Sequence, residues 1–313
     1  MTDSSYFCKK KIKHLIVIEG PTASGKTGLS VALAKRLNTS IISADSRQFY
    51  KELSIGTAKP TSEEQEGVPH FFIDSHSIQE EVTAAQFEKE ALSILEQEFA
   101  AKDTVIVTGG SGMFIDALCI GLDPIPSAVE LRNQINNEFE ENGLKPLLDE
   151  LERKDPAYFN AVDQHNPMRI IRAIEVIRLT GKPFSEFRKA NPVKRPFSVH
   201  RFVIEHPREQ LYQRINARVD QMMAMGLVEE VKSVIEFRDL SSLKTVGYKE
   251  LFNYLDGNCD LETAVHYIKQ NTRHYAKRQI TWFKRHPESI WINYTSSEEM
   301  AEEILQHFTD NIH

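Results

Sequence analysis

The residues whose types and spacing most clearly indicate a chemical function form a glycine-rich octapeptide near the start of the chain. They read Gly-Pro-Thr-Ala-Ser-Gly-Lys-Thr and match the pattern G-x-x-x-x-G-K-[ST] at every fixed position. Glycine lets the backbone approach a phosphate closely, and successive N–H groups at a helix N-terminus attract an anion. Lys26 adds a mobile cation, and the Thr27 hydroxyl can hold Mg²⁺. The predicted diphosphate site, called the phosphate loop below, comprises Gly20, Pro21, Thr22, Ala23, Ser24, Gly25, Lys26 and Thr27.

This motif needs a strand before it and a helix after it. The apolar run Leu15–Ile18 predicts a buried parallel strand, and apolar residues at helical spacing, among them Leu29 and Leu33, predict the helix. The motif contacts only phosphate oxygens, so it does not identify the compound that carries the diphosphate.

A second short apolar run, Ser40–Ala44, ends at Asp45. In an open parallel sheet the carboxyl ends of the strands face the same crevice as the phosphate loop. We therefore expect Asp45 beside the diphosphate, although an aspartate here could instead cap the next helix.

A third apolar run, Thr104–Thr108, leads into Gly109-Gly110-Ser111-Gly112, which predicts a close-approach turn before a helix. Many P-loop NTPases have an aspartate at such a strand end that helps to hold Mg²⁺. No aspartate stands here, which weakens the interpretation as a motor or switch.

Prolines at 124 and 126 mark a break in composition, and residues 128 to about 190 show no convincing strand. Ser127 and Glu130 predict a capping box, and Asn166-Pro167 predicts the start of another helix on which Arg169 and Arg172 share a face. We divide the chain into a first part of the core, 1–119, a helical insertion, 120–196, and the resumed core with basic C-terminal helices, 197–313.

The formal net charge of −7 conceals a segregation of charge along the chain. Acidic residues dominate 62–98, whereas 266–286 contains six lysines and arginines and no acid, which favours a polyanionic partner. The only cysteines are Cys8, Cys119 and Cys259, and no apolar run is long enough to span a bilayer. We therefore expect a protein of a reducing compartment, the cytoplasm, without membrane attachment.

A set of short motifs along nearly the whole chain resembles the tRNA dimethylallyltransferases, also called tRNA isopentenylpyrophosphate transferases. Besides the phosphate loop, the matching segments are Asp45–Gln48, Ile55–Pro60, Gly109–Gly112, Met168–Val176, Val246–Tyr248 and Thr272–Gln279. Departures are mild, since Ser111 stands where threonine is usual and Phe114 where tyrosine is usual. Some relatives carry a C-terminal zinc finger, for which this sequence has no cysteine and histidine spacing.

The resemblance implies a prenyltransferase that moves a dimethylallyl group from dimethylallyl diphosphate to N6 of adenine 37 in tRNA. The implied fold is α/β, a P-loop NTPase-like parallel sheet flanked by helices, with an all-helical insertion domain. The exocyclic amine of adenine is a weak nucleophile, and Asp45 matches the general base that would assist it. Lys26, Thr27 with bound Mg²⁺ and Arg218 would stabilise the charge on the leaving diphosphate.

By the same resemblance, the adenine leaves the anticodon stack, at a cost of roughly a few kcal/mol, before it enters the pocket. The implied partners are dimethylallyl diphosphate and the tRNA anticodon stem-loop, which the helical insertion would clasp, and the protein is expected to act as a monomer. The residues implied to line the tRNA path are Asp45, Ser46, Arg47, Gln48, Ser111, Arg132, Met168, Arg169, Ile170, Ile171, Arg172, Lys244, Thr245, Val246, Gly247, Tyr248 and Lys249.

Three other functions are compatible with a phosphate loop. In an ATP-dependent small-molecule kinase, Asp45 would deprotonate a hydroxyl and the helical insertion would be a lid. A non-catalytic, GTPase-like RNA-binding module would bind tRNA without forming product. A relative that prenylates free AMP or ADP would have little use for the insertion or the basic terminal helix.

Overall fold

The structure, a computed structural model, describes residues 12–188 and 192–310, so Cys8 lies outside the described residues. The chain forms two compact units. The core unit comprises Met1–Cys119 and Arg195–His313, and the helical unit comprises Ile120–Lys194.

A six-stranded sheet forms the centre of the core unit. Every neighbouring pair of strands is parallel, and the order across the sheet is β3-β2-β4-β1-β5-β6. The predicted P-loop-like parallel sheet flanked by helices is thus confirmed. The strands are β1 (Lys13–Glu19), β2 (Ile41–Ser43), β3 (His70–Phe71), β4 (Thr104–Gly109), β5 (Phe197–Glu205) and β6 (Ile290–Asn293).

Helices account for most of the remaining described chain, together with short 3₁₀ turns at 184–187, 235–237 and 241–243. The α-helices are α1 (Lys26–Leu37), α2 (Ser62–Gln65), α3 (Ala84–Ala101), α4 (Gly112–Ile120), α5 (Val129–Asn142), α6 (Lys145–Lys154), α7 (Pro156–Ala161), α8 (Pro167–Thr180), α9 (Arg208–Ala224), α10 (Leu227–Ser233), α11 (Tyr248–Leu255), α12 (Leu261–Phe283) and α13 (Ser297–Asp310).

The sheet is buried on both faces, which explains why its central strands are continuous apolar runs. Residues 15–18 of β1 and 105–107 of β4 are fully buried. Glu19 at the end of β1 pairs in register with Gly109 of β4. The carboxyl ends of these strands therefore bring the phosphate loop and the glycine turn after β4 to one edge of the sheet.

The helical unit has its own apolar core, built around Ile135, Leu147, Leu151 and the inner face of α8. As predicted, α8 begins at Pro167 and is capped by Asn166, whose side chain accepts a hydrogen bond from the Arg169 N–H. The predicted capping box at Ser127 and Glu130 is wrong. α5 begins at Val129 without a side-chain cap, because a more distant carboxylate, Glu175, accepts the Ala128 N–H instead.

Among the described residues, no helix combines the length and the apolar character needed to cross a bilayer.

Candidate active site

The phosphate loop joins β1 to α1 in a strongly bent conformation. Ala23 and Gly25 have φ values of 63° and 93°, in the left-handed region that favours glycine. A Cβ added to Gly20 would lie 2.6 Å from the Ser24 hydroxyl, so a larger residue here would require that hydroxyl to move. The Lys26 ammonium donates to the carbonyls of Gly20 and Pro21, at 2.8 and 2.9 Å, and is thereby held against the loop.

Asp45 follows β2 at the same edge of the sheet. Its carboxylate accepts the Arg47 N–H at 3.2 Å, and its own N–H donates to the Ser43 hydroxyl at 3.4 Å. The chain continues as a series of turns rather than as a helix, so Asp45 is not a helix cap. Its side chain instead lines a cleft beside the phosphate loop.

Three charged groups lie close enough at this edge for their charges to interact, namely Lys26, Asp45 and Arg218. Burial lowers the pKa of Lys26 to about 8, and Asp45 partly opposes this shift while Arg218 adds to it. Burial also lowers the pKa of Arg218, again against the charge of Asp45. Two incompletely solvated cations therefore lie near one carboxylate, which favours binding of an anion with several charges.

The cleft has a cavity volume of about 40 Å³ and is partly open to solvent, and every residue that lines it belongs to the core unit. Its polar lining residues include Thr22, Asp45, Arg47, Arg218 and Tyr275. Its apolar lining residues are Ala23, Ala58, Ile215, Val219, Met222, Leu227, Val246 and Ile268. The cleft therefore offers an apolar surface next to a site for an anion.

A side chain of α12 bridges the glycine turn after β4 and the phosphate loop. Gln279 accepts the Thr22 N–H and donates to the Gly110 carbonyl, both at 2.9 Å. Ser111 accepts the Ser46 N–H at 3.1 Å, and burial raises the pKa of the neighbouring Tyr275 to about 12. Gln279 and Tyr275 lie in one of the matching motifs, but the sequence alone indicated no role for them.

Mg²⁺ would have to be held mainly by oxygens of a bound diphosphate. Within residues 12–188 and 192–310, no group of three or more His, Cys, Asp or Glu side chains could hold a metal ion. Thr27 lies half-buried in the first turn of α1, beside the loop that would hold the phosphates. A single hydroxyl beside an anion site fits Mg²⁺, which keeps several waters and is commonly bound through substrate phosphates.

The predicted tRNA-path residues of the core unit are of two kinds. Lys244 and Lys249 are exposed and can reach a polyanion. Gln48 and Tyr248 have structural contacts instead, since Gln48 donates to the Ala58 carbonyl at 3.2 Å and Tyr248 is fully buried. Arg47 likewise donates to two backbone carbonyls, so its side chain joins separate segments of the cleft wall.

The predicted tRNA-path residues of the helical unit also divide. Met168 and Arg169 are exposed, whereas Ile170 and Ile171 lie in the unit's apolar core and could contact RNA only through their backbone. The remaining two, Arg132 and Arg172, form ion pairs of 3.0 and 2.8 Å with the fully buried carboxylate of Glu175. These two guanidinium groups therefore stabilise the unit, whatever else they contact.

A buried charge cluster under the phosphate loop was not predicted. Glu19 is fully buried and lies 3.8 Å from Arg201 on the neighbouring strand β5. Arg201 also pairs with Asp116 of α4, which accepts the Trp282 indole N–H at 2.8 Å and lies 2.9 Å from His286. Burial raises the pKa of Glu19 to about 7, against the charge of Arg201.

Comparisons with known proteins agree with this geometry. A family profile described as IPP transferase matches residues 48–286. A tRNA dimethylallyltransferase of Cytophaga hutchinsonii is 49% identical over 282 residues, which cover 90% of this chain and 93% of the relative. A tRNA dimethylallyltransferase 1 of Bacteroides thetaiotaomicron is 48% identical over 297 residues, covering 94% and 96% of the two chains.

Solved structures give the same result. The full-length tRNA isopentenylpyrophosphate transferase of Bacillus halodurans superposes with a TM-score of 0.71 at 36% identity, covering 95% of this chain and 96% of that one. A eukaryotic dimethylallyltransferase acting on tRNA superposes with a TM-score of 0.79 at 26% identity, covering 96% and 80%. Since the sequence match extends over most of the chain and the fold agrees with it, this protein belongs to the IPP transferase family.

Proposed function

We propose that this protein is a tRNA dimethylallyltransferase that transfers a dimethylallyl group from dimethylallyl diphosphate to N6 of adenine 37 in tRNA. The observation that carries the proposal is the cleft beside the phosphate loop, in which a carboxylate, cations and an apolar surface occur together. The names of the similar proteins support the same activity.

The cleft suits both halves of the donor. The backbone of the phosphate loop, with Lys26 and Arg218, would bind the diphosphate. The five-carbon tail would then contact apolar lining residues such as Ile215, Val219 and Ile268. A nucleotide bound at its phosphates would instead place a polar ribose against this surface, which favours an isoprenoid donor over ATP.

In the proposed reaction, the lone pair of N6 forms a bond to the methylene carbon that bears the diphosphate. The carbon–oxygen bond to the diphosphate breaks, and its electron pair leaves with the diphosphate oxygen. Asp45 accepts the proton that N6 loses. Lys26 and Arg218 stabilise the negative charge that develops on the leaving group, since charges in a desolvated cleft interact more strongly than in water.

Mg²⁺, held by Thr27 and the diphosphate oxygens, would supply further stabilisation of the leaving-group charge. The adenine would have to leave the anticodon stack to reach Asp45, and the exposed cations Lys244 and Lys249 lie on a segment that lines the same cleft. In the helical unit, the exposed Arg169 would contact the phosphates of an anticodon stem.

We infer that the enzyme acts as a monomer in the cytoplasm. A tRNA substrate supports the compartment. Light scattering coupled to gel filtration, with and without tRNA, measures the oligomeric state directly.

A small-molecule kinase on the same core is not favoured. The relatives that match most of the chain are named as dimethylallyltransferases, and β4 ends at Gly109 without an acidic Mg²⁺ ligand. The same names count against a non-catalytic RNA-binding module and against an enzyme for free AMP.

The experiment is an incubation of the purified protein with unmodified tRNA, dimethylallyl diphosphate and Mg²⁺, followed by nucleoside mass analysis. We expect dimethylallyladenosine from tRNA and none from AMP supplied in its place. Parallel reactions with ATP instead of the isoprenoid donor should release no phosphate. Absence of the modified nucleoside, or ATP turnover, would contradict the proposal.

A further inference from the structure

The carboxylate of Glu230, on α10, is held by four hydrogen-bond donors. Its Oε2 accepts the N–H groups of Ser54 and Ile55, at 2.9 and 2.6 Å. Its Oε1 accepts the Gly56 N–H at 2.8 Å and the Tyr248 hydroxyl at 2.7 Å. A carboxylate is the side chain that can accept at both ends without presenting a donor, so this set of contacts requires an acid.

These contacts connect two cleft segments, residues 54–56 and 246–248, each of which contributes to the lining of the cleft. Gly56 and Val246 both line it, and Tyr248 follows Val246 by two residues. Burial raises the pKa of Tyr248, so its hydroxyl remains a donor to Glu230. A Cβ on Gly56 would lie 2.7 Å from that hydroxyl, so the close approach of the two segments also requires a glycine.

Arg47 closes the connection into a ring. One of its terminal nitrogens, Nη2, donates to the carbonyls of Gly56 and Val246, at 2.9 and 2.8 Å. The two segments that Glu230 joins through N–H and hydroxyl donors therefore present carbonyl acceptors to a single guanidinium group. A shift of either segment would remove an acceptor from Arg47.

The backbone of Arg47 links this ring of contacts to the proposed general base, Asp45. The backbone N–H of Arg47 donates to Asp45 Oδ1 at 3.2 Å, so the position of residue 47 sets the orientation of that carboxylate. Glu230 itself does not line the cleft. Any effect that it has on the reaction must pass through the segments it holds.

We propose that Glu230 is a positioning residue for Asp45, which it orients through Arg47 and the two cleft segments. The inference rests on the proposed transferase function. Glu230 belongs to none of the motifs by which the chain resembles its family, and α10 contributes only Leu227 to the cleft lining.

The decisive variant is Glu230→Gln, which replaces one acceptor oxygen by an NH₂ group that faces N–H donors. We expect kcat for tRNA prenylation to fall by about 10- to 100-fold, because displacement of a reacting group by about 1 Å can cost this much. The KM for dimethylallyl diphosphate should remain near the wild-type value, since the phosphate loop takes no part in the ring. The matched control is Glu229→Gln, which removes the same charge from an exposed neighbour on the same helix and should behave as wild type.

A double-mutant cycle separates positioning from a general loss of stability. Arg47→Ala alone should lower kcat. Adding Glu230→Gln to it should cause little further loss, because the contacts that connect Glu230 to Asp45 are already broken. Independent, multiplicative effects would overturn the inference, as would a Glu230→Gln enzyme that matches Glu229→Gln. If Glu230→Gln fails to fold, the same cycle with Tyr248→Phe, which removes one donor, gives the same discrimination.

Failure of the underlying function has a different signature. A wild-type enzyme that forms no prenylated tRNA overturns the proposed function, and this inference with it. An active wild-type enzyme combined with a fully active Glu230→Gln variant overturns the positioning role alone.

Discussion

The backbone N–H of Thr22 donates to the side-chain oxygen of Gln279 across 2.9 Å, although 257 positions separate the two residues. The amide nitrogen of the same side chain donates to the Gly110 carbonyl, also at 2.9 Å. One glutamine of α12 therefore joins the phosphate loop to the turn after β4. A Cβ on Gly110 would lie 2.2 Å from the Gln279 nitrogen, so the turn approaches α12 as closely as glycine allows.

Replacement of Gln279 by leucine should loosen the phosphate loop. The substitution leaves a backbone N–H and a carbonyl without partners, at about 1–3 kcal/mol for each buried group. We expect a lower unfolding midpoint in urea and a raised KM for dimethylallyl diphosphate. Gln306→Leu, at an exposed position on α13, is the control for the change of side chain. A Gln279→Leu enzyme with an unchanged KM would show that the amide does not shape the diphosphate site.

Asp45→Asn should abolish prenyl transfer while leaving tRNA affinity within a few fold. Asparagine keeps an oxygen that can accept the Arg47 N–H but cannot take a proton, and loss of a general base typically costs about 10²- to 10⁴-fold in rate. Single-turnover product formation and fluorescence anisotropy with labelled tRNA measure the two quantities separately. Turnover close to that of the wild type would remove Asp45 from the mechanism.

Arg169 and Arg172 should respond differently to replacement by alanine. Arg169 is exposed, so Arg169→Ala should weaken tRNA binding and reduce the slope of log K against log salt by about 0.7–0.9 for one lost phosphate contact. Folding stability should be unchanged in that variant. A steeper salt dependence after Arg169→Ala would refute the assignment.

Arg172→Ala removes an ion pair of 2.8 Å with the buried Glu175, together with a hydrogen bond to the Ile125 carbonyl. We expect a loss of about 1–3 kcal/mol in unfolding free energy, because Glu175 retains only its other donors. Any loss of tRNA affinity should then accompany the loss of stability. Urea denaturation of both variants under the same conditions makes the comparison.

Glu19 should give the stability of the protein a defined pH dependence. Burial raises the pKa of this carboxyl from its ordinary value of 4.5 to about 7 in the folded chain. Between these values the unfolded state loses the proton while the folded state keeps it, so the unfolding free energy falls as pH rises through this window. The fall should amount to about 3 kcal/mol and should level off above pH 7.

Glu19→Gln, which cannot ionise, should lack this fall, so its stability relative to the wild type should increase from pH 5 to pH 8. Urea unfolding of both proteins across that range measures the difference. A constant difference would show that Glu19 does not titrate in this window.

The parts of the site that could be predicted are those that local sequence determines. The phosphate loop follows from an octapeptide, and the location of Asp45 follows from strand polarity, since parallel strands end at one edge. Strands β3 and β6, with two and four residues, were not predicted because so short a run has no recognisable periodicity.

The contacts that were missed join residues far apart in the chain. Glu230 contacts residues 54–56, and Gln279 contacts residues 22 and 110. Neither side chain has a neighbour in sequence that signals its role. For Arg172 the local sequence gave the wrong indication. Its spacing from Arg169 is that of two surface cations, but its partner, Glu175, is buried.

The anchoring of the phosphate loop by α12 has a consequence for biosynthesis. Residues 20–27 leave the ribosome early, but the helix that fastens them is made only after most of the polypeptide has been translated. A prematurely terminated chain thus displays the loop without its fastening. A nascent chain is therefore not expected to consume the isoprenoid donor before synthesis has passed Gln279.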